Sequence, residues 1–289
     1  MEMNSGNTIK LIECPRDAMQ GWKNFIPTEK KIEYINSLLK VGFDTIDFGS
    51  FVSAKAIPQM ADTSEVIASL EPGISGTKLL AIIANLRGAE EAVVFDQIGY
   101  LGFPFSVSET FQLRNTNSSI NESLKRVEEI QNLCIDKNKK LVIYISMAFG
   151  NPYDDLYDAD IVFNWVEKLV ELDIEIISLA DTVGIATPEQ VYDMTSYLVE
   201  SLPATEIGVH LHSTFENWQQ KLDAAQKAGC KRFDGALKGI GGCPMANDDL
   251  VGNMNTEWMI NHFEHHGVNT GLDKNALQES LRIAEEIFV

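Results

Sequence analysis

The chain has 289 residues, 45% of them hydrophobic and 22% charged, the proportions of a folded protein with a substantial core rather than a disordered or fibrous chain. Its formal net charge of −19 excludes nucleic acid as an expected partner, because that binding depends on neutralising phosphates with Lys and Arg. No run of eighteen apolar residues occurs, so no membrane partner is expected either.

The opening MEMNSGNTIK lacks a basic start followed by an apolar stretch, and no secretory leader is expected. Cys14, Cys134, Cys230 and Cys243 lie far apart without CxxC spacing, which suits reduced thiols in a cytoplasmic protein. Residues 1–8 read as a tail and 9–289 as one domain. From residue 9 onward a unit of roughly 20 to 40 residues recurs: apolar strand, polar loop, amphipathic helix, turn. The expected strands are 9–14, 45–50, 79–84, 101–106, 141–146, 175–180, 207–212 and 233–238, and their near-continuous apolar character suits parallel strands covered on both faces. EAVVFD (91–96) reads as a short helix ended by Gly99, by analogy with Gly42 and Gly229 at the ends of other helices.

The intervening helices are better marked. Ile32, Ile35, Leu38 and Leu39 share one face. Ser119–Glu122 and Thr187–Gln190 have the pattern of capping boxes, the second with Pro188 at the first helical position. Two more helices are expected near 255–266 and 274–288. Eight strands alternating with helices imply an α/β chain folded as a (β/α)8 TIM barrel with additional C-terminal helices. An open doubly wound sheet is the alternative, but it brings a Gly-rich first turn that is absent here.

The stretch EIGVHLHS (206–213) carries the strongest chemical signal. Side chains at i and i+2 of a strand leave the same face, so His210 and His212 can meet one ion or, in the plain alternative, hydrogen-bond within a core. In a barrel the active groups sit at the C-terminal ends of strands and in the loops that follow. The polar residues expected there are Glu13, Cys14, Arg16 and Asp17 after the first strand, Asp47 and Ser50 on the second, Asn85 after the third, and Asp181 after the sixth. The loop after the eighth holds Cys243 and Asn253. Asp17, His210, His212 and Asn253 would offer O, N, N and O donors, a set that suits Mg2+ or Mn2+ better than a structural zinc. Arg16 and Asp17 could instead form a loop salt bridge. Asp47 and Asp181 could hold loop amides, Cys243 could be packing, and GIGG could be a tight turn or an anion nest.

ECPRDAMQGWKN (13–24), SFVSAKAIPQMADTSEV (50–66), SLADTVGIATPEQ (178–190), GVHLH (208–212) and GIGGCPMA (239–246) together resemble the 3-hydroxy-3-methylglutaryl-CoA lyase family, of the metal-dependent lyase and Claisen-condensation superfamily. The resemblance implies Asp17, His210, His212 and Asn253 as ligands of a divalent cation, Mg2+ or Mn2+. It implies a catalytic set of Arg16, Asp17, His210, Asp47 and Cys243, with Arg16 on the developing enolate and Cys243 as a thiol on a moving loop. Gln20, Lys23, Ser50 and Asn85 fall at substrate-binding positions. The implied substrate is an acyl-CoA thioester, cleaved to acetyl-CoA and acetoacetate. A homodimer is the expected assembly. A Claisen-type synthase, a pyruvate-type aldolase and a catalytically silent relative are the alternatives. Four departures stand out. Asp47 replaces a glutamate, Ser213 stands where the pattern has aspartate, Val142 stands where it has a basic residue, and the loop between Cys243 and Asn253 is one residue longer.

Overall fold

The computed structural model describes residues 9–71, 76–242 and 251–289. Eight parallel strands close into a barrel in sequence order: β1 (Lys10–Glu13), β2 (Thr45–Ser50), β3 (Lys78–Ile82), β4 (Ile98–Ser106), β5 (Lys140–Ser146), β6 (Ile176–Ala180), β7 (Glu206–His210) and β8 (Arg232–Gly235). β1 pairs with both β2 and β8, which closes the ring. The strands are buried almost throughout, because helices cover them outside and side chains fill the interior.

Strand alternation separates two apolar populations. Outward residues such as Ile207, Val209 and Leu211 join the large core under the helices, whereas Leu80, Ile82, Val142, Tyr144 and Ile176 form a smaller cluster inside the ring. Within that interior, Tyr144, Ser178, Gly208 and Arg232 stand opposite one another across four consecutive strands. Gly208 is required there. A Cβ at this position would lie 2.9 Å from Cδ and 3.0 Å from Cγ of the fully buried Arg232.

β4 begins earlier than its sequence suggests. EAVVFD contributes only its first two residues to a helix (Leu86–Ala92), and Gly99 lies inside β4 rather than at a helix end. Leu79 pairs with Ile98 and Leu80 with Tyr100, so Gly99 is the extra residue of a bulge, a place where glycine is common. A second irregularity on β2, between Asp47 and Gly49, adjusts the direction of the chain beside a site residue.

The helices follow their patterns. Ser119 and Glu122 form a reciprocal capping box, as do Thr187 and Gln190 behind Pro188, each cap contributing about 1 kcal/mol. Ile35, Leu38 and Leu39 of helix Thr28–Leu39 are buried, with Ile32 at the edge of the same face. The final helix, Lys274–Ile287, packs beside that helix, joined by Ser37 Oγ to Ser280 Oγ at 2.9 Å and by an edge-on contact between Tyr34 and Phe288, the residue just after the final helix.

Candidate active site

β7 delivers His210, and the chain continues to His212, whose ring lies 5.4 Å from that of His210. β1 leads through Cys14 into the short helix Pro15–Gln20, which sets Arg16 and Asp17 at the same end of the barrel. Ligand atoms of Asp17, His210 and His212 all lie within 4.8 Å of one another. The fourth residue arrives from beyond β8. Ser213 donates its amide to Gly252, Met254 donates to Leu211 at 3.0 Å, and Asn253 pairs with His212 between them. Asn253 Nδ2 donates to Asp17 Oδ2 at 2.7 Å and to the Ile240 carbonyl at 2.9 Å, while its buried Oδ1 has no partner among the described residues. A buried acceptor without a donor beside a carboxylate and two imidazoles fits a hard divalent cation.

Electrostatics agree with that fit. Burial alone would raise the Asp17 carboxyl, but Arg16, His210, the Asn253 hydrogen bond and His212 together hold it at about 2. Burial, then the neighbouring His210, brings His212 down to about 4, which keeps it neutral and able to ligate. His210 behaves oppositely. Burial disfavours its proton, yet Asp234 and Asp17 outweigh burial and raise its pKa.

Arg16 is locked by two carboxylates. Its Nε and Nη2 donate to Asp47, and Nη1 donates to Asp17 Oδ1 at 2.8 Å. A guanidinium has five N–H groups, so one on Nη1 and one on Nη2 remain for a ligand. Asp47 is buried, and burial raises its carboxyl to about 6 against the pull of Arg16. Its carboxylate is engaged by Arg16, and it does not line the cavity at the mouth.

That cavity holds about 240 Å3 and is lined by Arg16, Asp17, Gln20, His210 and His212 together with apolar groups that include Val52, Ile57, Ile82 and Phe111. Gln20 lines it and donates to Asp17 Oδ1 at 2.8 Å. The other three expected substrate contacts lie elsewhere. Lys23 is exposed and outside the lining, because the helix ends at Gln20 and the chain turns outward. Ser50 is buried and accepts the Val52 amide. Asn85 is exposed and accepts the Gly88 amide as a helix cap. Cys243 lies outside the described residues.

Several supporting groups went unread in the sequence. Asp234 on β8 meets His210 Nδ1 at 3.2 Å, and period-two alternation along FDGALK was the available signal. Lys221, on helix Trp218–Lys227, gave none, because an inward lysine on a covering helix looks like any other. Asp181 accepts the Ala186 amide at 3.1 Å, the loop-holding role open to it from sequence, and also pairs with Lys221.

A closed parallel barrel with a carboxylate and two imidazoles close enough to share one ion at its C-terminal mouth, beside the unpartnered amide oxygen of Asn253, defines a TIM-barrel enzyme with a candidate metal site. The HMGL-like family model matches residues 9–283. The chain is 34% identical over 275 residues to a cytoplasmic 3-hydroxy-3-methylglutaryl-CoA lyase of Rattus norvegicus, covering 94% of this chain and 79% of the relative. It is 32% identical to a mitochondrial hydroxymethylglutaryl-CoA lyase of Bos taurus, covering 94% and 83%. The structure superposes on an HMG-CoA lyase from Acinetobacter baumannii, solved with coenzyme A and 3-methylmalate, with TM-score 0.92, 33% identity and coverage of 99% and 93%. The chain belongs to the HMGL-like family and is a lyase of that family.

Proposed function

We propose that this chain cleaves 3-hydroxy-3-methylglutaryl-CoA to acetyl-CoA and acetoacetate, with a Mg2+ or Mn2+ ion held by Asp17, His210, His212 and Asn253. The observation that carries this is the convergence of those four residues beside Arg16, with Asn253 Oδ1 left unpartnered. When bound, the ion polarises substrate oxygens and acidifies the 3-hydroxyl. His210 or Asp17 would take the hydroxyl proton. Breaking the carbon–carbon bond leaves the electron pair on the thioester as an enolate, and the two N–H groups of Arg16 left over from Asp47 and Asp17 would donate to its oxygen. Cys243 would return a proton to the enolate carbon; this role rests on the GGCP resemblance, and loss of it in Cys243→Ser should cost on the order of a hundredfold in turnover. The apolar groups of the cavity exclude water from the enolate.

The reading includes an acyl-CoA substrate, a homodimer and a cytoplasmic location; no helix among the described residues is long and apolar enough to cross a membrane. Incubation with 3-hydroxy-3-methylglutaryl-CoA and Mn2+ should release acetoacetate, and chelation should stop it. Turnover only in the condensing direction, with acetyl-CoA and a 2-oxo acid, would replace the lyase with a synthase. Light scattering checks the dimer.

A further inference from the structure

The pattern shared by the family places a carboxylate directly after the second histidine, and here that position is Ser213. Its hydroxyl is directed at Met254 Sδ, 3.5 Å away, so it gives neither histidine an anionic partner. The family's basic residue on the fifth strand is also absent. Val142 takes its place and packs among Leu80, Ile82, Tyr144 and Ile176 inside the ring. Both missing charges nevertheless exist in the barrel interior, and β8 carries them. Asp234 stands opposite His210 in the β7–β8 register and reaches its Nδ1 at 3.2 Å. Arg232, two residues earlier and on the same inward face, is fully buried, with Nη1 3.3 Å from Glu206 and 3.9 Å from Asp44. Its Nε and Nη2, and Asp234 Oδ1, are buried and have no partner among the described residues.

We propose that Asp234 is the positioning residue that presents His210 to the metal, so that β8 supplies the carboxylate that position 213 does not. A neutral imidazole carries one N–H. An ionised carboxylate only accepts, so Asp234 calls the proton to Nδ1 and leaves the Nε2 lone pair free for an ion. It also fixes the ring against rotation about its Cβ–Cγ bond. The plain alternative is that Asp234 only answers the buried charge of Arg232, with no influence on the imidazole. The two differ in what the ring itself reports.

This inference rests on His210 being a metal ligand, and its test uses neither substrate nor turnover. In metal-free protein labelled with 15N-histidine, at a pH high enough for the ring to be neutral, the long-range proton–nitrogen spectrum should show His210 protonated at Nδ1 and bare at Nε2. A neutral wild-type ring protonated at Nε2 instead of Nδ1 overturns the proposal without any variant. In Asp234→Asn the side-chain amide can donate, the Nε2–H tautomer should appear, and the Mn2+ dissociation constant should rise about 10- to 100-fold. The same substitution on a His210→Ala background should add no further loss. An equal loss on both backgrounds, or an unchanged tautomer in Asp234→Asn, would reduce Asp234 to a partner of Arg232. Wild-type protein that binds no Mn2+ would overturn this inference together with the metal site, whereas acetoacetate production that fails despite Mn2+ binding bears only on the substrate.

Discussion

Lys221 sets its ammonium 2.7 Å from Asp181 Oδ2, with each side chain 1% exposed, and the same nitrogen donates to the His212 carbonyl at 2.9 Å. A third bond runs to the Gly184 carbonyl at 3.1 Å. One buried cation therefore joins a covering helix to the β6 loop and to the backbone of His212, one of the proposed metal ligands.

Removing only one member of such a pair strands the other charge in the core. Lys221→Met should lower the unfolding free energy by about 3–5 kcal/mol, measured by urea denaturation, and should weaken Mn2+ binding because the His212 backbone loses its tether. Asp181→Asn combined with Lys221→Met should recover part of the stability but not the Mn2+ affinity. A stable single variant with unchanged affinity would leave the pair without influence on the site.

Glu13 offers a test in pH. It is fully buried, accepts the Leu237 amide at 2.8 Å and meets Thr256 Oγ at 2.6 Å, and burial raises its carboxyl from 4.5 to about 8. Between those values the folded protein holds a proton that the unfolded chain has lost, so this group's contribution to stability declines as pH rises through the window and levels off above about 8. The slope is at most about 1.4 kcal/mol per pH unit. Glu13→Gln mimics the protonated form and should remove that slope. Parallel stability-against-pH curves for the two proteins would refute the assignment.

Gly208→Ala should be costly although it adds one methyl group. The new Cβ meets the stem of Arg232, whose Cβ is 3.1 Å away, and that side chain is enclosed by the barrel. A loss of about 1–3 kcal/mol is expected from overpacking, read as a fall in Tm. An unchanged Tm would mean that Arg232 has room to shift.

Arg16→Lys separates charge from geometry. Lysine keeps one positive charge but cannot bridge Asp47 and Asp17 while offering N–H groups to an oxyanion. Turnover should fall about 100- to 1,000-fold with Mn2+ stoichiometry intact. Near-normal kcat would move enolate stabilisation elsewhere.

The sequence made the barrel legible because strand and helix periods alternate eight times, and the two capping boxes formed where their residues indicated. The convergence of Asp17, His210 and His212 was legible from the His-x-His spacing and the position of Asp17 after the first strand. Other polar groups near strand ends misled. Asn85 follows β3 yet is engaged in capping, and Ser50 is turned to the next segment's backbone. Composition near a rim does not tell which way a side chain points once a loop begins. Gly99 misled for a related reason: glycine ends helices and also makes strand bulges, and only the pairing of Leu79 and Leu80 decides between them.

Asp17 and Asn253 touch across the seam where β1 meets β8, although 236 positions separate them in the chain. During synthesis the first has left the ribosome long before the second exists. The proposed ion site consequently cannot be complete until the chain has passed residue 253, and a nascent chain or half-barrel fragment carries only part of the donor set. Metal retention would then serve as a readout of ring closure, sensitive to a frayed seam while most of the helical signal is still intact.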